Sequence, residues 1–169
     1  VRIQKIELEN FKSVSYGEVL FNCGQKAVPQ DTESDILGIY GQNGSGKTSV
    51  IEAIAILKRA MSGDPVSARY SECISAGSEF AKLTFTLDLQ YPTDNNYKRT
   101  IIYSMKMDAV PNESYEDREN PTTLSTLYPQ KVRIFDEEIS AAGTFNGKTL
   151  KTQKILTTSG NNYPIGPVR

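Results

Sequence analysis

LGIYGQNGSGKTSVIEAI, Leu37 to Ile54, decides how the rest of the chain is read. A continuous apolar run, Ile36 to Tyr40, breaks into glycines and resumes with helical spacing beyond Lys47. The run is short and apolar throughout, the form of a strand covered on both faces. Past the glycines, Val50, Ile54, Leu57 and Met61 recur at steps of four, three and four, with Ala53 and Ala60 filling the same side. That spacing predicts an amphipathic helix over Thr48 to Met61. Between the two elements, Gly41-Gln42-Asn43-Gly44-Ser45-Gly46-Lys47-Thr48 fits G-x-x-x-x-G-K-[ST]. Strand, loop and helix in that order are the context that gives this pattern its meaning.

The pattern has a physical reason at each position. The oxygens of a triphosphate must be met by several backbone N–H groups at once, so the loop wraps closely and a Cβ at the crowded positions would prevent the approach. Gly41, Gly44 and Gly46 carry none. The first turn of the following helix adds unpaired N–H groups and a partial positive charge. Lys47 supplies a mobile full charge for the β and γ phosphates, and the Thr48 hydroxyl can ligate a magnesium ion bridging them. The expected ligands are therefore a nucleoside triphosphate, ATP or GTP, and Mg2+. Asn43, Gly44, Ser45, Gly46, Lys47, Thr48 and Ser49 are expected to bind, Lys47 and Thr48 to take part in catalysis, and Thr48 to hold the metal. The bland alternative is a glycine-rich turn that serves helix packing alone.

Composition limits the other possibilities. A chain of 169 residues buries one core, which predicts a single lobe spanning residues 1–169. Lys and Arg number 19 against 20 Asp and Glu, so bulk charge does not mark a nucleic-acid binder, although a local patch stays open. Cys23 and Cys73 form no CxxC pair and histidine is absent, which argues against a zinc site and against imidazole chemistry. No apolar segment approaches the roughly 20 residues of a membrane span and no signal peptide opens the sequence. The cytoplasm is the expected compartment.

Elsewhere the period is that of strands. VRIQKIELENFKSVSYGEVLFN alternates at Ile3, Ile6, Leu8 and Phe11 and again at Val19 and Phe21, which predicts two strands joined by a turn near Ser15 to Gly17. Residues 23–35 have little to bury and read as a loop insertion. Gly63 ends the helix, and Asp64-Pro65 can open a short second one. AKLTFTLDLQY sets Leu83, Phe85, Leu87 and Leu89 on one face, and YKRTIIYSMKM follows a PTDNN loop, together an antiparallel hairpin. Residues 108–130 read as a polar, mobile insertion, KVRIFDEEI as a strand, and the last residues as loop. An ending on loop predicts that the natural protein continues. The fold class expected is α/β, mixed with α+β: a P-loop strand-helix unit with an antiparallel subdomain over the nucleotide.

IQKIELENFKSV, the loop GQNGSGKTS and a helix starting SVIEAI resemble the ATP-binding-cassette ATPases of the SMC, RecF and RecN kind, over about Ile3 to Leu57. The resemblance implies an N-terminal lobe whose antiparallel sheet lies over the nucleotide. It also implies supporting roles there for Lys12 and Ser13, against the alternative that Lys12 is a solvated strand-end lysine. As partners it implies a C-terminal ATPase lobe, a second head and, through the full-length protein, DNA. The pathway would be DNA repair, chromosome maintenance or phage defence. VRIFDEEISAAGTFNGKTLKTQKIL also resembles, more loosely, a region of large defence ATPases of the same clan.

VRIFDEE imitates a Walker B strand, with Asp136 for magnesium and Glu137 for water. A strand buried on both faces would not carry Arg133 in its middle, since an unpaired buried guanidinium costs several kcal/mol. The segment reads instead as a half-exposed strand, and hydrolysis is expected to need elements supplied elsewhere. Gln130 and Gln153 have no distinctive context as nucleotide-sensing glutamines. Two other functions compete: a P-loop kinase of a small molecule, and a non-hydrolysing, nucleotide-gated DNA scaffold. The kinase reading lacks an arginine-bearing lid. The scaffold would use Lys58, Arg59, Lys98, Arg99 and Lys106, although surfaces commonly carry such charges with no partner.

Overall fold

The computed structural model describes residues 1–21, 37–90, 97–111, 130–145 and 148–158. Six strands form one antiparallel sheet: β1 (Arg2–Phe11), β2 (Val14–Leu20), β3 (Ala81–Gln90), β4 (Tyr97–Pro111), β5 (Gln130–Phe145) and β6 (Lys148–Thr157). Their order across the sheet is β2-β1-β3-β4-β5-β6. One helix, α1 (Lys47–Ser62), and a 3₁₀-helix over Ala68–Cys73 complete the described elements.

The alternation in the sequence builds the core directly, because successive side chains on a strand face opposite ways. Register aligns Ile6 with Phe85, Tyr103 and Ile139 in one row, and Leu8 with Leu83 and Met105 in the next. All but Ile139 are buried, and Ile139 packs against that core as a partly buried residue. Helix α1 lays Val50, Ala53, Ile56 and Leu57 on this face. Burying such side chains stabilises the fold by about 1.5–3 kcal/mol each. The buried stripe differs from the expected one: Ile56 is fully buried, Ile54 only partly, and Met61 lies 62% exposed. Sequence spacing alone does not distinguish two adjacent stripes on one helix. At its end, the Gly63 and Asp64 N–H groups donate to the carbonyls of Ala60 and Arg59 at 3.2 and 3.0 Å.

Several expected boundaries move. The first turn lies at Lys12–Ser13 rather than Ser15–Gly17, because Asn10 and Lys12 take positive φ angles of 52° and 55° and reverse the chain earlier. The short second helix is the 3₁₀-helix, which starts at Ala68 rather than at Asp64-Pro65. Residues 37–40 form no strand: Leu37 and Ile39 are each 40% exposed and Tyr40 93%, and none of the six strands pairs with them. A strand covered on both faces needs a neighbour on each side, and the antiparallel sheet ends at β2 and β6 without reaching this run.

Asp108 to Pro111 and Gln130, expected within a polar insertion, are strand residues paired across β4 and β5; the rest of that insertion lies outside the described residues. So do the 23–35 insertion, the PTDNN loop and most of the tail. Strand β6 has no counterpart in the sequence reading. Its pairing with β5 slips twice, between Ile139/Ser140 and between Ala141/Gly143. Among the described residues no helix is long and apolar enough to cross a membrane.

Candidate functional site

The glycine-rich loop runs into α1 beside the β1–β2 turn. Gly46 is the helix N-cap, at φ 85° and ψ 8°, in the left-handed region that only glycine adopts without strain. A Cβ built on it would stand 2.7 Å from Val14 Cγ2, so Gly46 lies directly against β2. Gly41 is crowded too, with 2.8 Å between a Cβ and Ser45 Oγ. Gly44 differs: nothing lies within 4 Å of its Cβ position, and its φ of 85° is what selects glycine. Two of the three glycines thus answer to crowding within the protein, and the third to backbone geometry.

At the start of α1 no side chain caps the helix and no acid occupies the first turn. Its leading N–H groups therefore keep the donor character and partial positive charge that attract an anion. Lys47 folds back over the loop, its ammonium donating to the carbonyls of Gly41 at 2.7 Å and Gln42 at 2.6 Å. Ser45 Oγ lies 3.5 Å from the same nitrogen. Asn43, Gly44, Ser45 and Thr48 are exposed, while Ser49 is buried beneath them with its N–H on the Gly46 carbonyl at 3.0 Å. The residues present suit a phosphate: bare helix donors, a mobile ammonium, and an exposed Thr48 hydroxyl of the kind that ligates magnesium.

The turn expected to support this loop does adjoin it. Ser13 donates its hydroxyl to the Gly44 carbonyl at 3.0 Å. Lys12 points elsewhere, its ammonium ion-paired with the Glu52 carboxylate of α1. That hydrogen-bonded pairing raises the Lys12 pKa, with burial opposing it. Glu52 also accepts from the Cys73 thiol at 3.7 Å. Burial, then the nearby Glu52 charge, pushes this thiol up to about 11. Sequence reading gave Glu52 no role and weighed Cys73 only as a cysteine outside any metal site; the one available signal is that Glu52 follows Lys47 by five residues on one helix.

Other candidates do not join them. Asp136 and Glu137 sit at a β-bulge between β4 and β5, where Asp136 takes φ 47°. Strand β5 stands three strands from β1, about 14 Å across the sheet, and pairs antiparallel on both sides. Glu137 accepts the Tyr103 hydroxyl, Asp136 pairs with Lys106, and Arg133 pairs with Asp108. Gln130 and Gln153 lie on β5 and β6. Of the proposed basic residues, Lys58 and Arg59 lie on α1 and Lys98, Arg99 and Lys106 on β4, and Arg59 donates to the Pro65 carbonyl at 3.3 Å.

A family model described as an AAA domain matches residues 5–162. The chain belongs to the AAA domain family. It is also 34% identical over 84 residues to the DNA replication and repair protein RecF of Chlorobium phaeovibrioides. That match covers 50% of this chain but 19% of the relative, so the matched segment spans about a fifth of that protein's length. No solved structure matches this chain.

Proposed function

We propose that this AAA domain binds Mg-ATP at Gly41–Thr48 as one lobe of an SMC/RecF-like ATPase acting in DNA repair, chromosome maintenance or phage defence. The observation that carries the reading is the start of α1: a left-handed Gly46 cap, no competing side-chain cap or first-turn acid, and the Lys47 ammonium over the loop. Phosphate oxygens would take the Gly44 to Thr48 N–H groups, with Asn43 and Ser45 at the rim and Ser49 packing the loop from below. Lys47 would exchange its two carbonyl acceptors for phosphate oxygens, a small change because the long side chain turns freely. Magnesium bound at Thr48 would supply charge neutralisation between the phosphates.

Hydrolysis in this reading is phosphoryl transfer to water, which depends on charge stabilisation and positioning. The acid of a Walker B strand, a C-terminal lobe and a second head would come from outside the described residues, with DNA as a partner of the whole assembly. Residues 1–169 would then form a single lobe that binds without turning over. The test is titration calorimetry with Mg-ATP, with phosphate release followed on the same sample. Binding without turnover is the expected result. Absence of binding overturns the reading, and turnover by this chain alone would restore Asp136 and Glu137 as catalytic candidates.

A further inference from the structure

The β1–β2 turn is strained, and several contacts hold it. Asn10 and Lys12 both take positive φ. Such a conformation costs a residue with a side chain about 1–3 kcal/mol and persists only where its surroundings over-determine it. Here they do. The Lys12 N–H donates to the Cys73 carbonyl at 2.7 Å, and the Ser75 N–H to the Asn10 carbonyl at 2.9 Å. The Ser75 hydroxyl donates to the Lys12 carbonyl at 2.7 Å. From the helix side, the Glu52 carboxylate pairs with the Lys12 ammonium and accepts the Cys73 thiol. The next residue of the turn, Ser13, reaches the Gly44 carbonyl.

These contacts form one path, from Glu52 to Lys12, along the backbone to Ser13, and across to Gly44. Its two ends belong to the same segment of chain. Helix α1 presents Lys47 and Thr48 at its start and Glu52 five residues later, so the helix that ends the loop also braces the turn pressing on its middle. The side chains of Lys12 and Glu52 keep 32% and 27% of their exposure. An ion pair that open to water adds little to global stability. What it fixes is the place of the turn. Gly44 can adopt many backbone conformations, and holding its carbonyl from outside narrows them before any ligand arrives, which favours binding by preorganisation.

We infer that Glu52 is a positioning residue for the phosphate loop, acting through the Lys12 turn and the Ser13 hydroxyl on Gly44 rather than on a ligand. The inference rests on the nucleotide-binding reading above. It assigns Lys12 a bracing role in which its charge is directed at Glu52.

The experiment compares the parent chain with Glu52→Gln, Ser13→Ala and the double variant. Mg-ATP affinity is measured by calorimetry, and the Gly44 backbone amide is followed by NMR without nucleotide. Each single variant is expected to bind about tenfold more weakly, and the double variant no more weakly than either, because both act through one contact. The Gly44 amide resonance is expected to move in Glu52→Gln. Parent-like affinity in Glu52→Gln, or losses that add in the double variant, overturns the proposal, since a purely structural ion pair would lower stability without coupling to Ser13. If the parent itself binds no Mg-ATP, the nucleotide reading fails. The amide resonance then still decides the positioning claim, supporting it if shifted and refuting it if unmoved. Should Glu52→Gln not fold, Lys12→Met breaks the same pair from its more exposed side and is read identically.

Discussion

Lys106 Nζ lies 3.0 Å from Asp136 Oδ2, joining β4 to β5 at the bulge where their ladder loses register. Both side chains are about one-third exposed, and the ammonium also lies 4.8 Å from the Phe80 ring centroid. An acid engaged in this way, three strands from β1, holds a sheet irregularity. Asp136→Asn is therefore expected to leave Mg-ATP affinity unchanged and to lower stability by about 1 kcal/mol or less. Calorimetry and urea unfolding check the two parts separately.

Lys47→Ala should weaken Mg-ATP binding at least about tenfold, the order expected when a charge-assisted hydrogen bond to phosphate is lost. The fold should persist, because the Lys47 ammonium contacts exposed loop atoms and not the core. A circular-dichroism spectrum matching the parent, beside a weakened titration, is the expected pair of results. Parent-like binding would contradict the phosphate-loop reading.

Gly46→Ala meets two separate obstacles. The left-handed backbone costs an alanine about 1–2 kcal/mol, and the new Cβ stands 2.7 Å from Val14 Cγ2. Adding Val14→Ala should recover the steric part of the lost stability and leave the backbone part. Denaturant unfolding of Gly46→Ala, Val14→Ala and the double variant separates them. Gly46→Val should be worse than Gly46→Ala in stability and in nucleotide affinity, since its branched side chain also crowds the phosphate approach.

Alkaline pH should destabilise the chain. The Cys73 thiol is raised from 9.0 to about 11 by burial and the Glu52 charge, and Tyr103 is raised further by burial and its hydrogen bond to Glu137. Each group keeps its proton in the folded state after the unfolded chain has lost it, so stability is intact below about pH 9 and falls as pH rises beyond. Urea midpoints at pH 8, 9.5 and 10.5 should decrease in that order. At pH 8 the buried Cys73 should resist alkylation until the chain unfolds.

How far the sequence could be read depended on whether the signal was local. Strand β3 and most of β1 were legible because alternation at Leu83, Phe85 and Leu87, and at Ile6 and Leu8, is set by pleating alone. Helix α1 and the loop before it were legible for the same reason, and the loop's glycines stand where turn and crowding require them. The β1–β2 turn was not, because Asn10 and Lys12 adopt glycine-like angles under contacts with Cys73 and Ser75, more than 60 residues away in the chain. Strand β6 escaped because its side chains are largely exposed and its two slips break any period. Glu52 offered only its spacing from Lys47, and its partners become evident once Lys12 and Cys73 are brought together.

The irregular pairing of β6 bears on how copies of this molecule meet one another. Outermost among the described strands, it is where the sheet's edge N–H and C=O groups could accept a foreign strand. Two slips of register interrupt that row, and Lys148 and Lys151 would bring like charges together if two such edges approached, while Lys154 is paired with Glu138. A regular, apolar version of the same strand would invite stacking of sheets end to end. The slips and lysines of β6 remove that invitation along this edge.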